Sequence, residues 1–196
     1  MCGSLGSTSA NRLALDLAVD RLTSDGTTDT VDDVPLADVP MFGPDRADDP
    51  PAAVVHMRSL LEAADGVLLA APEYAGGLAG GMKNALDWLV GSASIHQRPV
   101  VILSAGTTGG VFAIEQLVRT LSWQGALTVG TLNIDAPRTK IEPGVGFVDA
   151  ATVQGIEHWA DALVAAMSMS PESLLERVAR VVRPFGIDPA RFGDLR

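Results

Sequence analysis

Three short segments carry the residue types that could bind a ligand: Gly3 to Asn11, Ala71 to Gly81 and Ser104 to Gly110. All three are rich in Gly, Ser or Thr. Each offers backbone N–H groups, and the first runs straight into a helix N-terminus, where unpaired donors and the helix dipole favour an anion. The hydroxyls of Ser4 and Ser9 and the Asn11 side chain suit a phosphate monoester. An ordinary helix-capping loop is the plainer reading, with Ser9 as N-cap. The second segment reads APEYAGGLAGGMKNALDWL. Its glycines let the backbone approach a flat ligand closely, and Tyr74 can pack on one. Lys83 and Asp87 read more simply as a surface i,i+4 pair, and Trp88 as a helix-face packing residue. Neither a Rossmann G-x-G-x-x-G nor a P-loop Gly-Lys-Ser/Thr is present, and G-x-S-x-G is missing too. His56, His96 and His158 are scattered, with no carboxylate or cysteine at metal-binding spacing. These residues offer no evident catalytic acid, base, nucleophile or metal ligand of the chain's own.

These segments must be placed by regular elements. Apolar spacing predicts helices over Asn11–Leu22, Ala52–Ala64, Gly81–Val90, Val111–Leu121 and Ala151–Met167. Gly66–Ala71, Pro99–Leu103 and Leu127–Ile134 are short apolar runs of the kind buried on both faces of a parallel sheet. Val31–Val34 is a candidate edge strand. Pro35–Pro51 reads as a Pro- and Asp-rich surface loop, and Ser170-Pro171 restarts a short helix. Strands alternating with helices indicate an α/β, doubly wound parallel sheet, whose ligands bind beyond the carboxyl ends of the strands. The three candidate segments fall at such ends.

The 196 residues suit one domain, read as 1–168, with a C-terminal helical extension over 169–196. A net charge of -10 argues against nucleic acid and against an anionic membrane surface as partners. The charge is uneven. Ten aspartates lie between Asp16 and Asp49, while Arg177, Arg180, Arg183, Arg191 and Arg196 mark the end; both read as solvated faces. The lone cysteine, Cys2, permits no internal disulfide, and no leader or membrane-length apolar run is visible, so the expected location is cytoplasmic.

At the second segment the chain resembles the NADPH-dependent FMN reductase family, which is flavodoxin-like. The family pattern runs close to P-E-Y-N-G-S-x-x-G-x-x-K-N-A-L-D-W. It is met here by Pro72-Glu73-Tyr74-Ala75-Gly76-Gly77, Gly80 and Lys83-Asn84-Ala85-Leu86-Asp87-Trp88. The family's G-S-L-R-x-x-S-x-N is met at Gly3, Ser4, Leu5, Ser9 and Asn11, and the resemblance covers roughly residues 3 to 168. It implies a three-layer flavodoxin-like sheet. Ser4, Ser9 and Asn11 would hold the FMN phosphate. Pro72, Glu73, Tyr74, Ala75 and Gly76 would lie along the ring and ribityl chain, and Ser104 and Gly106 on a third flavin loop. Three departures stand out: Gly6 replaces the family arginine, Ala75 replaces its asparagine, and the first strand is truncated or missing, since only Met1-Cys2 precedes Gly3.

The resemblance further implies an enzyme that takes hydride from NAD(P)H onto bound FMN and passes it, by ping-pong transfer, to a small-molecule acceptor such as a flavin or quinone. The alternatives are an electron-carrier flavodoxin and a flavin-free binding protein. Family members are usually homodimers or homotetramers. The apolar helix face after Gly81 and the C-terminal helix residues Leu174, Leu175, Val178, Val181 and Val182 are the candidate contact surfaces.

Overall fold

The computed structural model describes residues 1–6, 9–24, 26, 28 and 30–193. Ser7 and Thr8 of the first segment, Asp25 and Asp29 of the acidic run, and Arg196 lie outside these. Helices α1 (Ala10–Ser24), α2 (Ala52–Ala63), α3 (Gly80–Leu89), α4 (Val111–Trp123), α5 (Ala150–Met167) and α6 (Pro171–Val182) surround strands β1 (Val67–Ala70), β4 (Pro99–Gly106) and β5 (Leu127–Asp135). Two small hairpins, β2 (Glu73–Tyr74) with β3 (Gly77–Leu78) and β6 (Ile141–Glu142) with β7 (Gly146–Phe147), complete the described strands.

The main sheet is parallel, in the order β1-β4-β5. Residues 1–3 add a stub on the outer side of β1. Cys2 bridges Ala70, the Gly3 amide donates to Ala70 O at 2.7 Å, and the Ala70 amide donates to Met1 O at 3.0 Å. Val67 to Ala70 and Val100 to Leu103 are buried without alternation, because helices cover both faces. Helices α1 and α5 pack together on one face, and α4 packs against β4 and β5 on the other. Helix α2 lies beside α3, where the Arg58 guanidinium donates to Trp88 O at 2.6 Å. One register irregularity sets an extra residue, Val129, against β4. A bulge frees a backbone group from the ladder, and Arg177 of α6 donates to Val129 O at 2.8 Å. With Val178 and Val182 buried, α6 thus shields the β5 edge.

Two expectations are corrected. Val31–Val34 forms no strand. The stub offers only a short edge to pair with, Val34 turns into the core, and Asp33 is drawn to Arg12 at 2.8 Å. The helix face after Gly81 is consumed by the core rather than left for a partner: Met82, Leu86 and Leu89 are buried. Val178 and Val182 are covered as well.

The β2–β3 turn has a local conflict. Tyr74 pairs with Gly77, leaving a two-residue turn in which Ala75 has φ 52 and Gly76 φ 70. Positive φ at both positions is the type I′ pattern, which prefers Asn-Gly. The Cβ of Ala75 is strained there. Ala75→Asn is therefore expected to raise stability by about 1 kcal/mol and the melting temperature by roughly 2–4 °C, measured by calorimetry. A lower melting temperature would contradict the turn geometry.

At the amino end of the sheet a cavity of about 590 Å³ is lined by Leu15, Val19, Leu60, Leu163, Met167 and the Met1 backbone, among others. The Met1 amine points inward and donates to Leu68 O at 2.8 Å. Burial drives its pKa down from 8.0 to about 6. The unfolded amine keeps its proton up to about pH 8 and the folded one releases it near 6, so the unfolded state holds more protons between them. For a chain beginning at Met1, stability rises from pH 6 to pH 8, by at most about 3 kcal/mol. Melting curves across this window should show the rise, and an N-terminally acetylated sample should lose it. Equal pH dependence in both samples would contradict it.

Candidate flavin site

All three candidate segments open at the carboxyl end of the parallel sheet, where the stub, β1 and β4 end together. Side chains tie them to one another. The Asn11 amide is buried, 2% exposed, and both its groups are used: Nδ2 donates to Ala105 O and Oδ1 accepts from the Ala105 amide, each at 2.9 Å. Ser104 Oγ, fully buried, donates to Ala71 O at 2.7 Å. Gly110 approaches Ser104 so closely, with φ +65, that any Cβ there would sit on the hydroxyl. Asn133 Nδ2 donates to Gly109 O at 2.7 Å, which joins the third loop to β5.

The second loop is held from α4. Glu73 Oε2 accepts from the Phe112 and Ala113 amides at 2.8 and 3.1 Å. Gln116 Oε1 accepts from the Leu78 amide at 2.9 Å. The helix after this loop reaches back to the Pro-rich segment. Asn84 Nδ2 and Trp88 Nε1 donate to Pro40 O at 2.9 and 2.7 Å, and Asn84 Oδ1 accepts from the Phe42 amide at 2.7 Å. The Phe42 ring meets Trp88 edge-on at 5.1 Å between centroids. Lys83 and Asp87 form the surface pair at 2.6 Å.

What remains open is largely backbone. The amides of Ser4, Leu5 and Gly6 donate to no described residue, nor do those of Ala75 and Gly76 at the hairpin turn. Ser9 sits immediately before α1, its Oγ accepting from the Asn11 amide at 3.2 Å, as an N-cap does. The Ser4 hydroxyl has no hydrogen-bond partner among the described residues. Tyr74 stands 63% exposed on the hairpin. Pro72 is buried at its base, and Gly106 ends β4, where a Cβ would lie 3.7 Å from the Gly110 nitrogen. Free amides at a helix N-terminus suit a phosphate, and free amides with an exposed aromatic suit a flat polar ring, so these residues fit FMN.

Apart from Pro72, buried at the base of the hairpin, the predicted residues separate into two sets. Ser4, Ser9, Tyr74, Ala75, Gly76 and Gly106 line the open end. Asn11, Glu73 and Ser104 spend their side chains on ties within the protein. Sequence reasoning missed Gln116, Asn133, Asn84 and the Pro40–Phe42 segment. Only the fixed Asn-x-x-x-Trp spacing of Asn84 and Trp88 could have signalled the last of these. At the outer edge, Lys140 Nζ lies 2.6 Å from Asp135 at the end of β5 and holds that exposed carboxyl below its usual range. Among the described residues, no group of three or more His, Cys, Asp or Glu could hold a metal ion, and no helix is long and apolar enough to cross a membrane.

Comparison with known proteins bears on the fold and the family. FerB, a flavoenzyme NAD(P)H:(acceptor) oxidoreductase from Paracoccus denitrificans, superposes with a TM-score of 0.69 at 23% identity, over 85% of this chain and 94% of that one, which shows the shared fold. An NADPH azoreductase of Bacillus sp. (strain OY1-2) is 34% identical over 92 residues, 46% of this chain and 51% of that protein. A quinone reductase of Escherichia coli (strain K12) is 30% identical over 121 residues, 58% of this chain and 64% of that protein. The matched stretch thus spans about half to two thirds of these curated relatives. The family model for NADPH-dependent FMN reductase matches residues 1–137, which contain the stub, all three loops and the main sheet. The chain belongs to the NADPH-dependent FMN reductase family.

Proposed function

We propose that this chain is an NAD(P)H-dependent oxidoreductase that holds FMN and reduces flavins, quinones or similar small acceptors. The observation that carries the reading is the set of unpaired amides, Ser4 to Gly6 and Ala75 to Gly76, at one end of the sheet beside an exposed tyrosine. FMN, when bound, supplies the hydride-accepting and hydride-donating ring. The phosphate is held by the Ser4 and Ser9 hydroxyls, the first-loop amides and the start of α1. Pro72, Tyr74, Ala75 and Gly76 flank the ring, with Gly106 beside it on the third loop; Ser104 acts indirectly, by fixing Ala71. Asn11 acts indirectly, by fixing Ala105. The protein's work is to bind and orient the ring and leave one face open, so that nicotinamide and acceptor use it in turn. Residues 1–168 form the flavodoxin-like unit in this reading, and 169–196 an extension whose helix α6 guards β5.

The test is FMN titration followed by NADPH oxidation with a quinone as acceptor. Uptake of one FMN per chain with parallel-line initial velocities supports the reading. FMN uptake without turnover leaves an electron carrier, and no uptake removes the enzyme reading.

The phosphate loop lacks a cation. Gly6 has negative φ and open space where a Cβ would point. A guanidinium there adds a charge-assisted bond of about 1.5–3 kcal/mol. Gly6→Arg is expected to tighten FMN binding by roughly tenfold or more, read by quenching of flavin fluorescence. Unchanged affinity would place the phosphate elsewhere.

We also place the chain in the cytoplasm, as a homodimer or homotetramer. Val90, Val111, Phe112 and Trp123 are large apolar residues exposed at the end of α3 and along α4, and they support a contact between copies. Light scattering should give a multiple of the 20.4 kDa chain mass. A monomer mass at micromolar concentration would contradict this.

A further inference from the structure

We propose that Glu73 is a positioning residue that seats the flavin-ring hairpin on α4, rather than a group that touches the flavin. The inference rests on the FMN reading above. Helix α4 begins at a glycine N-cap, Gly110, which has no side chain to offer its first amides. The missing cap comes from another loop. Glu73 Oε2 accepts from both Phe112 and Ala113, the donors at the N-terminal turn. A carboxylate in this place also matches the helix dipole. The second point of attachment is one turn further along. Gln116 takes the Leu78 amide at 2.9 Å. Glu73 and Leu78 face each other across the hairpin register, so each of its two strands is pinned to α4 once. The turn, Ala75-Gly76, projects with free donors.

This arrangement has a chemical consequence. With the Phe112 and Ala113 amides and the dipole already met from within, the α4 terminus offers less to a ligand anion. The open donors at the start of α1 and at the hairpin turn remain, and these are where a phosphate and a ring are to be received. Glu73 therefore shapes the site by what it fixes and by what it closes.

The experiment uses Glu73→Ala, Glu73→Gln and Gln116→Ala, with Arg119→Ala as control. Arg119 sits on the same helix in an exposed pair with Glu115. Two quantities are read: amide hydrogen exchange at Phe112 and Ala113 in flavin-free protein, and FMN affinity well below each variant's melting temperature. Glu73→Ala is expected to accelerate exchange at both amides and to weaken FMN roughly tenfold or more. Glu73→Gln keeps an acceptor oxygen at the same reach. It is expected to remain within about threefold of the parent, with an unchanged bound-flavin absorption spectrum. Gln116→Ala removes one neutral hydrogen bond and is expected to cost about fivefold. Arg119→Ala leaves binding unchanged. Should Glu73→Ala fail to fold, the Glu73→Gln and Gln116→Ala variants decide on the same criteria. FMN affinity unaltered by Glu73→Ala would overturn the inference. So would a Glu73→Gln variant that weakens binding as much as the alanine and shifts the flavin spectrum, the sign of direct contact. If the parent chain takes up no FMN, the functional reading falls; exchange in the flavin-free protein then still decides whether Glu73 ties the hairpin to α4, and unchanged exchange rules that tie out.

Discussion

One buried amide pairing joins the parts of the site. Asn11 gives its N–H to Ala105 O and takes the Ala105 amide in return, inside a region that water does not reach. A buried amide left without partners costs about 1–3 kcal/mol for each unmatched group, so the pairing fixes the start of α1 against the end of β4. Ser104 then draws β4 to β1 through Ala71, and Glu73 draws the hairpin after β1 to α4. These bonds run from side chains to the backbone of other elements, where the strands end and the loops begin. The loops keep their shape because of them, and the amides of Ser4 to Gly6 and Ala75 to Gly76 are left unpaired because of them.

This division of labour gives new meaning to the chain's departures from its family. At Ala75 the requirement is conformational: the position sits at φ 52, where asparagine is at ease and alanine is strained. The turn still presents its amides. At Gly6 the loss is one of charge, and the backbone leaves room for its return. A site built mainly from backbone donors tolerates both changes with the fold intact, since neither residue takes part in the ties.

Much of the fold was legible in the sequence. Unbroken apolar runs such as Val67–Ala70 and Val100–Leu103 reveal a sheet covered on both faces, and helical spacing located α2 to α5 within a few residues. The ligand loops were legible too, from glycine and hydroxyl content at strand ends. What sequence could not show was where polar side chains spend their hydrogen bonds. Asn11 and Glu73 have the chemistry of ligand contacts, yet their partners lie 94 and 40 residues away, and only the folded chain brings them together. The pairing of Gln116 with Leu78 has the same character. Val31–Val34 misled because β-branched residues suggest a strand, while a strand also needs a neighbour to pair with.

The central claim is that FMN meets the backbone at two loops left unpaired by the ties around them. Residue-resolved amide hydrogen exchange, with and without FMN, tests this directly. FMN is expected to protect the amides of Ser4 to Gly6 and of Ala75 and Gly76, and to leave the rate at Phe112, already bonded to Glu73, little changed. Protection that bypasses both loops, or falls instead around the cavity at the amino end of the sheet, would contradict it.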